Sequence, residues 1–307
     1  MIIWLVDYDG RIENLALMRA STYHKQRGDK VILKRGDAYP ELWDTPDLLY
    51  ISCIFKWNGA AASRLAEGWG DIALLGGTGV DIARQLPPEI ATCPPDYSLY
   101  GRDRAIGFIS RGCIRNCPWC VVPRKEGKLH RVATAAEVVG DHKEALLLDN
   151  NFLALDGHEA DLKWLIEHRP AIDFNQGLDA RLVTPTNAPL LARCNWLAGP
   201  RLALDFPGEK EPVKQAIDLL VDNGLRASQM TVFVLIGFST LESDIERLLL
   251  CHEWGVNAYP MGFRDLDTGE EPARGWDRKL YKKFRRLIIR LPQANSVWSD
   301  FREELHV

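Results

Sequence analysis

Short apolar runs rich in β-branched residues alternate with helical stretches along most of this chain, and that alternation limits its folds more than any other feature. Residues 2–6, 31–33, 48–55 and 72–75 read as buried strands. Between the first two, residues 13–28 carry helical spacing. Leu15, Met18, Ala20 and Tyr23 lie roughly on one face, and Gly28 stands where a C-cap belongs. The pattern restarts later, with strands expected at 105–110, 145–148, 172–174, 202–204, 230–236 and 258–261 and helices at 212–223 and 241–254. Strands alternating with helices imply parallel sheets covered on both faces.

The Pro-rich segment Thr92-Cys-Pro-Pro-Asp-Tyr-Ser98 interrupts the series. It divides the chain into an α/β unit at 1–98, a second β/α series at 99–265 and a helical extension at 266–307. The second series is too short for a complete eight-unit barrel, which needs about 250 residues, so a partial barrel of six units is expected. Chemistry in such barrels sits at the C-terminal strand ends. Here those ends carry Asp149-Asn150-Asn151, Asn175-Gln176 with Asp179 and Arg181, Asp205, and Gly237. In the first unit the corresponding loops are Asp7-Tyr-Asp-Gly10 and Gly76-Gly-Thr-Gly79. These glycines permit either close approach of a ligand or a tight turn.

The first strand of the second series leads into Cys113-Ile-Arg-Asn-Cys-Pro-Trp-Cys120. Three thiols spaced C-x3-C-x2-C in one loop make a soft, convergent metal site. An iron–sulfur cluster takes four protein ligands when closed. Three local cysteines therefore leave one position for another ligand, by the logic of an open catalytic metal site. The competing readings are a zinc site completed by His130 or Cys93, and a structural cysteine loop.

This loop, with Trp119 before its last cysteine and the β/α series around it, resembles the radical S-adenosylmethionine (SAM) superfamily. The resemblance implies a 4Fe–4S cluster on Cys113, Cys117 and Cys120, with SAM on its open iron. It also implies a 5′-deoxyadenosyl radical that abstracts hydrogen from a substrate, and a one-electron reductant of the flavodoxin or ferredoxin type. For SAM it points to Trp119, Asp149, Asn150, Asn151, Asn175, Gln176, Arg181, Asp205, Gly237 and Glu242. Arg181 is placed to pair either with the SAM carboxylate or with Asp179. Arg264, after the sixth strand, faces SAM or substrate. The first unit resembles the cobalamin-binding-like domain that precedes the barrel in many members of the superfamily. The expected fold is thus α/β, a Rossmann-like parallel sheet domain followed by a partial (β/α)6 radical SAM barrel. The cobalamin lower-ligand His is replaced by Asp7-Tyr8-Asp9-Gly10-Arg11, and His24 falls within a helix. The alternatives are a cobalamin-dependent radical SAM methyltransferase and, in another class, a non-enzymatic zinc or iron–sulfur module. Residues 120–127 are locally similar to methylthiotransferases, but the first unit offers only Cys53 and Cys93 for a second cluster.

The net charge of −4 gives no global basic field. One local exception is Arg278-Lys-Leu-Tyr-Lys-Lys-Phe-Arg-Arg-Leu-Ile-Ile-Arg290, with Leu280, Phe284, Leu287 and Ile288 on one helical face. Its basic face is either solvated or a phosphate contact. Cys194 and Cys251 sit in apolar helical contexts and read as core cysteines. The seven cysteines do not resemble a secreted disulfide framework. No apolar run approaches the roughly 20 residues of a membrane helix, and residues 1–6 are too short for a signal peptide. A cytoplasmic protein with no membrane partner is expected. The substrate class (nucleic acid, peptide or small molecule) is not encoded in any of these motifs.

Overall fold

A computed structural model describes residues 1–39, 46–273 and 276–290, leaving aside the side chains of Leu287, Ile289 and Arg290. The chain is a mixed α/β protein built on parallel sheets, divided into two compact units, Met1–Ile106 and Gly107–Val307.

The first unit holds β1 (Ile2–Asp7), α1 (Leu15–Gln26), β2 (Lys30–Arg35), β3 (Leu48–Ser52), α2 (Gly59–Trp69), β4 (Ala73–Gly76) and a short α3 (Pro88–Ala91). The strands pair in parallel in the order β2-β1-β3-β4. Side-chain alternation along β1 explains why both faces must be covered. Ile3 and Leu5 pack with Leu17 and Ala20 of α1 and Ile90 of α3. Trp4 and Val6 pack with Leu49, Ile51 and Leu65 of α2 on the other face. Helix α1 begins where Asn14 Oδ1 accepts the N–H groups of Ala16 and Leu17 at 3.1 and 3.3 Å. The Pro-rich break expected to end this unit lies within it, and the division falls between Ile106 and Gly107.

The winding reverses between β1 and β3, and such a switch point is where open α/β sheets bind ligands. Here the chain fills the position itself. The Asp9 carboxylate accepts the N–H groups of Ile54 and Phe55 at 2.7 and 3.0 Å and Asn58 Nδ2 at 2.9 Å. A Cβ on Gly77 would stand 2.2 Å from Cys53 O, and one on Gly79 2.6 Å from Phe55 O. These glycines serve loop-to-loop approach. His24 is a core residue, its ring nitrogens 2.8 Å from Asp29 Oδ2 and 3.1 Å from Tyr50 Oη. No histidine stands at these strand ends, so the residues present do not fit a His-ligated cobalamin.

The second unit opens at the last residue of β5 (Ala105–Gly107). It continues through β6 (Ser110–Arg111), α4 (Val122–Lys125), β7 (His130–Arg131), α5 (Ala135–Val139), β8 (Glu144–Leu147), α6 (His158–His168), β9 (Ala171–Phe174), α7 (Ala188–Arg193), β10 (Arg201–Ala203), α8 (Lys210–Asp222), β11 (Thr231–Ile236), α9 (Leu241–Glu253), β12 (Asn257–Gly262) and α10 (Arg278–Arg290). Strand β8 runs parallel to β9, and β10, β11 and β12 are mutually parallel. The bridges Ile172–Trp196 and Leu178–Leu202 join the β9 and β10 segments, and Gly107 O accepts Leu148 N–H at 2.8 Å. On β11, Val232, Val234 and Ile236 are buried, as are Val213, Ile217 and Leu220 of α8 and Ile245 and Leu248 of α9. That is the helix-on-sheet core the period-2 and period-3.6 patterns require.

One expected strand divides in two. The run at 105–110 leaves the ladder after Gly107, because Ile109 and Ser110 turn their N–H groups to the Asp149 carboxylate at 3.2 and 2.5 Å. The hairpin β6–β7, antiparallel through Ser110–Arg131 and Arg111–His130, then encloses the cysteine loop.

Candidate metal centre

The cysteine loop is shaped by Gly112 and Glu126. Gly112 has φ +77°, and a Cβ there would lie 2.2 Å from Lys128 O, so only glycine lets the strands of the hairpin close. Glu126 Oε1 pairs with Arg111 at 2.7 Å, and its Oε2 accepts Gly112 N–H at 3.1 Å and Asn150 Nδ2 at 2.6 Å. Burial acts to raise this carboxyl, but the Gly112 N–H and the Arg111 guanidinium outweigh it and hold the group below its ordinary value. Asn150 thus ties the end of β8 to the loop.

Within that frame all three cysteines are half-buried and none is in a disulfide among the described residues. Cys113 Sγ accepts Arg115 N–H at 3.3 Å and Asn151 Nδ2 at 3.4 Å, and Cys120 Sγ accepts Val122 N–H at 3.5 Å. Donors aimed at sulfur stabilise thiolate and tune a bound cluster. Burial, followed by the neighbouring Cys120 thiol, pushes Cys117 up to about 11. Metal binding must therefore displace a proton there, and metal affinity rises with pH. Among the described residues no three His, Cys, Asp or Glu side chains converge on one metal ion. His130 is exposed, its Nδ1 2.9 Å from Lys128 O, and Cys93 belongs to the first unit, donating to Glu89 O at 3.2 Å.

A continuous polar chain joins the loop to the following strand ends. Asn151 Nδ2 also reaches Asp179 Oδ2 at 3.3 Å. Asp179 accepts Arg115 Nε at 3.0 Å and Arg181 Nε at 2.6 Å, and Arg181 Nη1 continues to Glu209 Oε1 at 2.7 Å. Glu209 Oε2 accepts the N–H groups of Asp205 and Phe206 at 3.0 Å each. Arg181 is thus paired with Asp179 and Glu209. Asp205 has no ion-pair partner among the described residues; burial and then Glu209 push it up to about 6. Asn151, whose Nδ2 reaches Cys113, is 2% exposed, and its Oδ1 has no hydrogen-bond partner among the described residues. A buried acceptor without a donor asks for a ligand that carries one.

An aromatic belt closes the other side. Trp119 stacks on Phe206 at 6.0 Å and meets Phe238 edge-on at 4.9 Å, and Phe238 contacts Phe263 at 5.1 Å. Beside it a cavity of about 170 Å³ is lined by Cys117, Cys120, Arg124, Phe263, Asp265 and Asp267, among others.

Other sequence-selected residues fall differently. Asp149 is fully buried and spends its carboxylate on Ile109, Ser110 N–H and Ser110 Oγ. Asn175 Oδ1 is 3.4 Å from Arg201 Nη1, while Gln176 and Glu242 are exposed. Gly237, at φ +80°, has its N–H on Asp244 Oδ2 at 2.6 Å and its carbonyl on Ala273 N–H at 2.8 Å, so both polar groups are engaged. Sequence reading missed Asp244 and Arg247. Arg247 is fully buried, pairs with Asp244, and donates to the carbonyls of Leu204 and Asp205 and to Ser239 Oγ. The signal was present, since two opposite charges three apart on an otherwise apolar helix face imply a buried pair. Cys194 and Cys251 are buried core residues. No family model matches the chain, and no curated protein matches it.

Proposed function

We propose that the second unit is a partial (β/α)6 radical SAM barrel, that the first is a Rossmann-like domain without cobalamin, and that the protein is an enzyme acting through SAM. The observation that carries this reading is the orphaned, buried Oδ1 of Asn151, whose Nδ2 touches Cys113 of the loop that supplies three thiols. Cys113, Cys117 and Cys120 would hold a 4Fe–4S cluster, and Asn151 Oδ1 would accept from the amino group of SAM. A reduced cluster held there would supply the single electron for cleavage of SAM into methionine and a 5′-deoxyadenosyl radical that takes hydrogen from the substrate. The chain itself positions and shields. Asn151 and the N–H groups of Arg115 and Val122 hold sulfur orientation, Asp205 offers a carboxyl to SAM hydroxyls, and Trp119 with Phe206 and Phe238 excludes water. The protein takes its electron from a flavodoxin- or ferredoxin-type donor.

Reconstituted, dithionite-reduced protein incubated with SAM is expected to release 5′-deoxyadenosine, and Asn151→Leu to weaken SAM binding about tenfold while keeping its iron. An intact cluster spectrum with no SAM cleavage sinks the reading.

A further inference from the structure

Helix α10 carries the densest charge in the chain. Arg278, Lys279, Lys282, Lys283, Arg285 and Arg286 stand on it, with no Asp or Glu from 278 to 290. Its apolar side is committed to packing, with Tyr281, Phe284 and Ile288 all buried. Lys279, Lys282, Lys283 and Arg286 are exposed. A helix of this length runs about 20 Å, the axial span of about six phosphates in one nucleic-acid strand.

The same helix reaches the strand ends that frame the candidate centre. A Cβ on Gly237 would stand 2.5 Å from Tyr281 Cε2. A Cβ on Gly262, the last residue of β12, would stand 2.9 Å from Tyr281 Oη, 3.7 Å from Arg285 Cζ and 3.7 Å from Glu271 Oε2. Arg264 and Arg285 converge on Glu271 Oε1 at 3.4 and 2.8 Å. In their midst the Tyr281 hydroxyl, in a residue 2% exposed, has no hydrogen-bond partner. Two guanidiniums against the single Glu271 carboxylate leave one net positive charge beside an unused hydroxyl donor, a setting that a phosphate can complete. Phe206 leaves 47% of its surface exposed while stacked on Trp119 of the cysteine loop, and Tyr259, on the strand β12 that α10 packs against, is 54% exposed. Basic side chains tracking a backbone beside exposed aromatic faces are the usual equipment for single-stranded nucleic acid, whose phosphates and bases engage both at once.

We propose that the substrate is a nucleic-acid strand. Its phosphates are held along α10 and at Arg264, Arg285 and Tyr281, and its bases lie toward Phe206 and Tyr259. The identification as a substrate rests on the radical SAM reading above; the binding itself does not.

The test is fluorescence anisotropy of labelled single-stranded RNA and DNA oligonucleotides with the full chain, over a salt series, without SAM or reductant. Wild-type protein binds with an affinity that falls steeply with salt. Lys279→Gln/Lys282→Gln/Arg286→Gln, which keeps helix propensity, lowers the slope of log K against log salt by about 2. A matched triple substitution at Lys163, Lys214 and Arg226 leaves it unchanged. Tyr281→Phe weakens binding roughly tenfold without lowering the unfolding temperature, because the hydroxyl has no hydrogen-bond partner among the described residues. Binding that ignores salt, survives the α10 substitutions, or is displaced equally by an acidic peptide of the same charge overturns the proposal. SAM cleavage, measured separately on the same preparation, can fail while oligonucleotide binding holds, so the two readings are separable.

Discussion

Replacing Arg247 by Met should be among the most destabilising single changes in the second unit. The Arg247 and Asp244 side chains are both fully buried. Arg247 donates at 3.0 Å to Leu204 O, 2.8 Å to Asp205 O and 2.8 Å to Ser239 Oγ, while Asp244 holds Gly237 N–H and, at 2.6 Å, Ser239 Oγ. The pair therefore fastens the end of β10 to the turn after β11. Met keeps much of the side-chain volume, so packing loss is small. What remains is the Asp244 charge, buried without a countercharge, and two strand-end carbonyls without a donor. Breaking a buried pair from one side costs about 3–5 kcal/mol. A cycle of Arg247→Met, Asp244→Asn and the double variant, followed by urea unfolding, isolates the coupling, because the double variant removes both charges together. Its cost should fall short of the sum of the singles by at least about 2 kcal/mol. The same Arg247→Met protein should bind SAM less tightly, since Asp205 loses the donor on its carbonyl. A cost for Arg247→Met below about 1 kcal/mol, or strict additivity, refutes the reasoning.

Gly112→Ala should lower both stability and iron incorporation, read by urea midpoint and iron assay, because φ +77° and a contact of 2.2 Å to Lys128 O leave a methyl group no room. Asp205, raised to about 6 in the folded chain against an unfolded value of 3.8, makes the fold lose stability as pH climbs from about 4 to about 6. The Asn variant should be flatter across that window and more stable at pH 8, and a variant less stable at pH 8 contradicts the assignment.

Much of the architecture was legible because β/α periodicity depends on solvent exposure. Strands β1, β3, β8 and β11 were marked by apolar runs that packing on both faces demands. The division of the 105–110 run was hidden, since it follows from Asp149 capturing Ile109 and Ser110 across a distant strand end. At the site, the spacing marked the three cysteines, whereas their supports did not share a motif. Glu126, Asp179 and Glu209 act through partners 14 to 64 residues away, a proximity that the fold creates and the sequence does not display. Glu242 was selected by pattern, yet Asp244 reaches Gly237, because the first turn of α9 points its second residue to solvent. In the first unit the glycines left a ligand approach and a structural turn equally open, and the backbone that Gly77 and Gly79 approach is the chain's own.

The most direct measurement is the electron paramagnetic resonance spectrum of the reduced, reconstituted protein with and without SAM, beside iron and sulfide analysis. The account predicts about four irons and four sulfides per chain, lost in Cys113→Ala, Cys117→Ala and Cys120→Ala, and a signal that shifts when SAM occupies the iron the protein leaves unligated. One zinc without sulfide, or a cluster signal indifferent to SAM, would contradict it.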